Sequence, residues 1–302
     1  MADINVVSTT LGITGLIALK GDASTRQYWR CDQGIVMIDD LDGGDLRRTK
    51  FVDIAQRLRN AKLNAPKIFA HDQKLGVVLL EDFGAGDLSQ NPTTANYKRA
   101  LDLIFDLNSV DAQNLTQYSD VIYREELSRV NRYYLSPLGI DDHELVRISE
   151  LFVTELAAHS STFVHVDFHA ENLMLCDDGS FGILDFQDAR FGHPLYDLAS
   201  LVDDVRVEVP NASELLAFGL QQANFNHGEL WFHVISVQRL IKIVGIFARL
   251  TAEGRNGYDR LLPRCFAILE KRLNHPELKE LKVWFEDVIP KPTAATLAKL
   301  RA

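Results

Sequence analysis

Cysteine is scarce: 302 residues contain three, Cys31, Cys176 and Cys265, and no two stand in a CxxC spacing. An odd, scattered set supplies neither a disulfide framework nor a zinc knuckle, and a reducing, cytoplasmic setting is expected. Basic charge is also in deficit, 32 Lys+Arg against 42 Asp+Glu, a net charge of −10. That field repels nucleic acid and anionic membranes, though it leaves room for a local basic pocket around one small anion. No uninterrupted apolar run reaches the roughly 18 residues that mark a membrane span. The apolar stretch "LGITGLIAL" follows Asp3 rather than a basic region, so no export signal is expected either. What remains, 46% hydrophobic and 25% charged residues without repeats, is the make-up of a globular chain of one large or two smaller domains.

Two regions differ in pattern. In "QYWRCDQGIVMIDDL", aromatic and β-branched residues flank a "DQG" turn, which predicts a hairpin. In "DLRRTKFVDIAQRLRNAKL", Leu46, Phe51, Ile54, Ala55, Leu58 and Ala61 recur at helical spacing, with Asn64 and Pro66 as the stop. "KIFAHDQKLGVVLLED" adds two short strands. After "GAGD" the pattern turns helical: Leu101, Ile104, Phe105 and Val110 form one face, and Leu145, Ile148, Leu151, Phe152 and Leu156 another. "ELWFHVISVQRLIKIVGIFARL" reads as a long buried helix, and "LMLCDDGSFGILDF" as an isolated hairpin among helices. The expected architecture is α+β and two-lobed. Residues 1–84 form a small antiparallel-sheet lobe with one helix, 85–290 a large helical lobe, and 291–302 a loosely docked tail.

The chemistry concentrates in "HVDFHAENLMLCDDGSFGILDFQDA", residues 165–189. Asp167 and Asn172 precede the hairpin and Asp185 ends its second strand, so folding the hairpin gathers all three at one mouth. Neighbouring carboxylates repel unless a shared proton or a divalent cation neutralises them. Mg2+ suits hard oxygen donors that leave coordination positions for phosphates, and a base Asp, an Asn five residues on and a later metal Asp are the parts phosphoryl transfer needs. His165 and His169 with Cys176 nearby could instead suggest zinc, but no fourth ligand has recognisable spacing.

With "ILDFQDA" and "GHPLYDLASL", this stretch resembles the aminoglycoside phosphotransferase and choline kinase superfamily, a protein-kinase-like fold. "GDASTRQYWR", "IVMIDD" and "APKIFAHDQKLGVVLLEDFG" are further similar to bacterial anomeric amino-sugar kinases of peptidoglycan recycling, over roughly residues 20–290. The resemblance implies an ATP- and Mg2+-dependent small-molecule kinase. In it Asp167 is the base, Asn172 and Asp185 hold the metal, Asp197 braces the catalytic loop and His165 is structural. Gly21, Ser24 and Thr25 lie over the phosphates, and Glu81 and Phe83 sit at the adenine-binding hinge, which recognises through backbone groups. The acceptor implied is N-acetylmuramate or N-acetylglucosamine.

One departure from the fold's pattern concerns a lysine. The strand "GIVMIDD" has none where kinases of this fold place the phosphate-binding one. Met37 or Ile38 stands there, and Arg26, Arg30, Arg47, Arg48 and Lys50 are the nearest cations. That gap motivates a rival reading, a nucleotide-binding pseudokinase scaffold, and within enzymes the rival is a kinase of an aminoglycoside or another small alcohol. Gln187 and Asp188 either face substrate or cap a turn. A lactyl carboxylate calls for a cation, for which Arg206, Arg239, Lys242 and Arg249 are available, unless they are solvated or paired. A polycationic acceptor would want acidic walls instead.

Overall fold

A computed structural model of the chain describes residues 2–19, 26–39 and 44–301, apart from the side chains of Asp45 and Leu151. The small lobe is a five-stranded antiparallel sheet of β1 (Ile17–Leu19), β2 (Gln27–Cys31), β3 (Gly34–Ile38), β4 (Ile68–Asp72) and β5 (Val77–Leu80), in the order β1-β2-β3-β5-β4. The central strands β3 and β5 are apolar at nearly every position because both of their faces are covered. Met37, Val78 and Leu80 pack with Phe51, Ile54, Ala55 and Leu58 of the helix α2 (Gly44–Asn60). On the other face, Val36, Ile38, Val77 and Leu79 meet Val7 and Ile13.

Val7 belongs to α1 (Ile4–Leu11), so the lobe carries two helices rather than the one expected. Its sequence, INVVSTTL, is rich in β-branched residues of low helical propensity and too short to be stable alone. Capping by Asp3, which accepts from the Asn5 amide at 2.8 Å, and docking on the sheet supply what propensity does not. In α2 the predicted face is correct at its centre. Leu46, however, is 82% exposed, and Ala61 lies beyond the helix in solvent.

The large lobe comprises α3 (Thr94–Asn108), α4 (Asp120–Val130), α5 (Glu144–Ala158), α6 (Tyr196–Val202), α7 (Ala212–Ala223), α8 (Gly228–Ala252), α9 (Tyr258–Arg272), α10 (Lys279–Val288) and α11 (Ala294–Leu300). By length and hydropathy alone α8 could cross a membrane, but 78% of its most apolar 18-residue window is buried inside the protein. It is the central core helix, packed on α4, α6 and α9. Gly245 permits its approach to α4: a Cβ there would lie 2.5 Å from the Arg129 carbonyl carbon. That close crossing brings Glu126 and Arg129 of α4 against Lys242 of α8.

The expected hairpin is β7 (Leu173–Leu175) with β8 (Phe181–Ile183). A second pair, β6 (Thr162–Val164) with β9 (Arg190–Gly192), was not expected, because three-residue strands leave too few positions for alternation to register. Together the pairs bracket residues 165–172. The lobes interlock on this unit: the Ile183 amide donates to Asn64 O at 2.9 Å and Phe51 stacks on Phe186 at 4.7 Å, while the Leu175 amide donates to Gly86 O at 2.8 Å just past the hinge. The segment expected to be a loose tail is docked instead. Leu300 is 3% exposed, and the Tyr134 hydroxyl donates to Pro290 O at 2.6 Å.

Candidate active site

Between the lobes lies a cleft of about 1170 Å³, lined on one side by Tyr28, Glu81 and Phe83 and on the other by Asp167, Asn172, Asp185 and residues of α8. Its floor is the loop after β6, held from beneath by α6. The buried Asp197 carboxylate accepts the amides of His165 at 2.7 Å and Val166 at 3.0 Å. Val166 has φ +78°, a conformation costly for a β-branched residue. The two bonds to Asp197 hold the backbone there and aim the next residue, Asp167, into the cleft. Burial raises the Asp197 carboxyl despite those bonds and the nearby charge of Arg239. His165 is buried, its Nε2 hydrogen-bonded to Leu184 O at 2.9 Å, which ties the loop to the hairpin.

Three supports went unread in the sequence. Asp204 accepts the amides of Ala170 at 3.3 Å and Arg206 at 2.8 Å, bracing the far end of the same loop. Its neighbour Asp203 forms a buried bidentate pair with Arg272, at 2.7 and 2.8 Å, and fixes the end of α6 to α9. His169 packs under Asn172. The signal was the doublet "DD" directly after an apolar helix, where ordinary caps need one carboxylate.

The three predicted polar groups do meet. Asn172 Nδ2 donates to Asp167 O at 2.9 Å and lies 3.2 Å from His169 Nε2, which leaves Oδ1 as its remaining ligand atom. The Leu184 amide donates to Asn172 O at 2.9 Å, so Asp185 is delivered beside Asn172 by the β7–β8 register. Asp185 has φ +59°, is solvent-accessible on the cleft floor and accepts from Gln187 Nε2 at 2.7 Å. Surrounding protein raises its carboxyl, and the like charges of Asp167 and Asp188 push the same way.

The Asp167 carboxylate makes no hydrogen bond to a described residue. Burial would raise it, but His169, Lys242, Arg206 and Arg239 outweigh burial and hold it at about 2. His169 is itself pushed down to about 4 by burial and Arg206, so at neutral pH the three fixed cations carry that effect. Among the described residues no cluster of three His, Cys, Asp or Glu is placed to hold a metal, and His165 Nε2 is already bonded to Leu184 O. Two hard oxygen donors on an open cleft floor would suit Mg2+, leaving positions for phosphate and water ligands.

At the hinge, Glu81 is committed to Lys67: its carboxylate accepts the Lys67 amide at 3.0 Å and Nζ at 3.4 Å and its own amide donates to Lys67 O at 2.9 Å, so only its carbonyl is available. Phe83 packs on the hairpin so closely that a Cβ at Gly182 would stand 2.5 Å from its ring. Gly182→Ala is expected to cost about 1–3 kcal/mol by overpacking, read as a lowered denaturant midpoint. Gly21, Ser24 and Thr25 lie outside the described residues. Of the five cations near the small lobe, Arg30 is held by Asp82 at 2.5 and 3.1 Å and caps the hinge at Gly84 O. Arg26 and Arg47 converge on Asp39 at 3.1 and 2.8 Å, and the charge of Arg26 reaches Asp185. Lys50 faces Asp188.

Four candidates for acceptor contact divide. Arg206, Arg239 and Lys242 line the cleft. Arg249 does not: it pairs with Glu253 at 2.9 Å, one turn along α8, where its side chain is 41% exposed, and the helical spacing that grouped it with Arg239 and Lys242 carries it past the cleft. Gln187 is used on Asp185, and Asp188 is exposed opposite Lys50. A further group missed from sequence is Glu126, buried on α4. It accepts from Tyr118 Oη at 2.5 Å and Gln238 Nε2 at 3.1 Å and sits 3.5 Å from Lys242 Nζ, which also donates to Tyr196 Oη at 2.7 Å.

Comparison with known proteins agrees with this geometry. Residues 15–230 match the phosphotransferase enzyme family. The N-acetylmuramate/N-acetylglucosamine kinase of Pseudomonas aeruginosa is 31% identical over 293 residues, covering 88% of this chain and 86% of that protein. Among solved structures, the streptomycin–ATP ternary complex of APH(2'')-IIa superposes with a TM-score of 0.63 at 15% identity, covering 82% of this chain and 91% of that one. A choline/ethanolamine kinase family protein from Mesorhizobium loti gives 0.63 at 16% identity, covering 95% and 92%. A protein-kinase-like fold, a cleft loop braced by Asp197 and a family match spanning both lobes thus converge: the chain belongs to the phosphotransferase enzyme family of ATP-dependent kinases.

Proposed function

We propose that the chain transfers the γ-phosphoryl group of ATP to the anomeric hydroxyl of an amino sugar, N-acetylmuramate or N-acetylglucosamine. The observation that carries the acceptor class is the sign of charge in the large-lobe half of the cleft. Away from the Asp167, Asp185, Asp188 and Arg190 groups that also line the cleft, Arg129, Arg206, Arg239, Lys242 and Arg255 face it with Glu126 and Glu171 as the remaining acids. Such a wall repels a polycationic aminoglycoside and tolerates a neutral or anionic sugar. The similarity to N-acetylmuramate/N-acetylglucosamine kinases supports the same reading.

Asp167 orients the acceptor hydroxyl and takes its proton. A carboxylate held at about 2 is a weak base, which suits a loose transition state in which the proton leaves late and positioning dominates. Asn172 Oδ1 and Asp185 would hold Mg2+, which when bound neutralises charge on the nucleotide phosphates. Gln187 fixes the rotamer of Asp185. Phe83 borders the adenine end, and Arg26, buried beside Asp39, is the small-lobe cation best placed to replace the absent lysine. The unbonded Asp167 carboxylate argues against a pseudokinase scaffold, since a residue kept only for structure would be paired. Phosphorus NMR on reactions with ATP, Mg2+ and either sugar is expected to show a new anomeric phosphate signal. No turnover with either sugar, alongside turnover of an aminoglycoside or a simple alcohol, would overturn the assignment of the acceptor.

A further inference from the structure

Arg239 is 3% exposed, yet among the described residues its guanidinium has no hydrogen-bond or ion-pair partner. Three neighbouring cations of the cleft each have a protein partner. Arg206 lies 3.4 Å from Glu171, Lys242 donates to Tyr196 and faces Glu126, and Arg129 pairs with Glu125 at 2.8 Å. A largely buried guanidinium that faces a cleft with no protein acceptor has lost much of its hydration and keeps its donors open for an incoming anion. Asp167 and Asp197 offset its charge without a hydrogen bond, so an entering anion still meets open donors, and planar Arg is suited to a bidentate carboxylate. Arg239 lines the same cleft as Asp167, and its charge acts on that carboxylate. It projects from α8, whose Ile243, Ile246, Phe247 and Leu250 continue the acceptor wall.

Resting on the acceptor reading above, we infer that Arg239 is the specificity-determining residue for a carboxylate on the acceptor sugar, the group that separates N-acetylmuramate from N-acetylglucosamine. Arg206 and Lys242 shape the wall but keep their own partners.

The test is a ratio measured on two sugars in one assay. Arg239→Gln is expected to lower kcat/KM for N-acetylmuramate relative to N-acetylglucosamine by about 30-fold or more, with Arg239→Lys intermediate. An equal fall for both sugars, or a fall accompanied by a matching rise in KM for ATP, would overturn the inference and place Arg239 at the phosphates. Should the variant not fold, the wild-type enzyme decides. Its KM for the methyl ester of N-acetylmuramate should exceed that for the free acid by a similar factor, and equal values would refute the assignment. If the wild-type enzyme phosphorylates neither sugar, the acceptor reading itself has failed, an outcome distinct from an unchanged ratio.

Discussion

Asp185→Asn is expected to lower kcat by about 10³-fold or more, the scale of losing a principal charge-neutralising group at a transferring phosphoryl. The substitution keeps an oxygen able to accept from Gln187, and Asp185 is solvent-accessible on the cleft floor, so the fold should survive. What it removes is one negative charge from a site whose other carboxylates, Asp167 and Asp188, already raise the Asp185 carboxyl. Two measurements identify the cause. Calorimetry should show weakened Mg2+-dependent nucleotide binding with metal-free nucleotide binding retained, and the melting temperature should stay close to wild type. A variant that keeps more than a tenth of its turnover would remove Asp185 from the metal site.

Asp167→Asn is expected to cost about 10³-fold in kcat while leaving KM for ATP within a few-fold. The pH dependence follows from the sign of the shift. With the carboxyl held at about 2, Asp167 is fully ionised above about pH 4. The defect should therefore be the same across pH 5–9, and any acid limb of the wild-type profile in that range must belong to another group. An acid limb that disappears in Asp167→Asn would contradict the lowered carboxyl. Wild-type turnover in the variant would show that the loop positions some other base. Because Asp167 makes no hydrogen bond to a described residue, its amide replacement breaks no protein contact and isolates the chemical role.

Much of the site was legible because its parts are close in sequence. Asp167, Asn172 and Asp185 span one loop and one hairpin, and the two-residue period of β7 and β8 dictates which of them meet. Asp197 was read through the family resemblance, since the all-round apolar pattern of its helix does not mark one aspartate as a brace. The short elements were not. The β6–β9 pair has three residues per strand, and α1 is helical against its own propensities because the sheet beneath it needs a cover.

By itself the sequence determined the two-lobed layout and the order of the candidate site groups, since these rest on local period and spacing, and it showed no lysine in the strand where the fold's pattern places one. Only tertiary structure decided which cations serve the cleft. Lys242 meets Glu126 across 116 residues, Arg249 turns to Glu253, and Arg239 is left without a described partner. A helical repeat fixes the face a charge occupies, whereas its energy depends on what stands within a few ångströms of it. That neighbour comes from another helix, brought close at a glycine the pattern does not distinguish from any other.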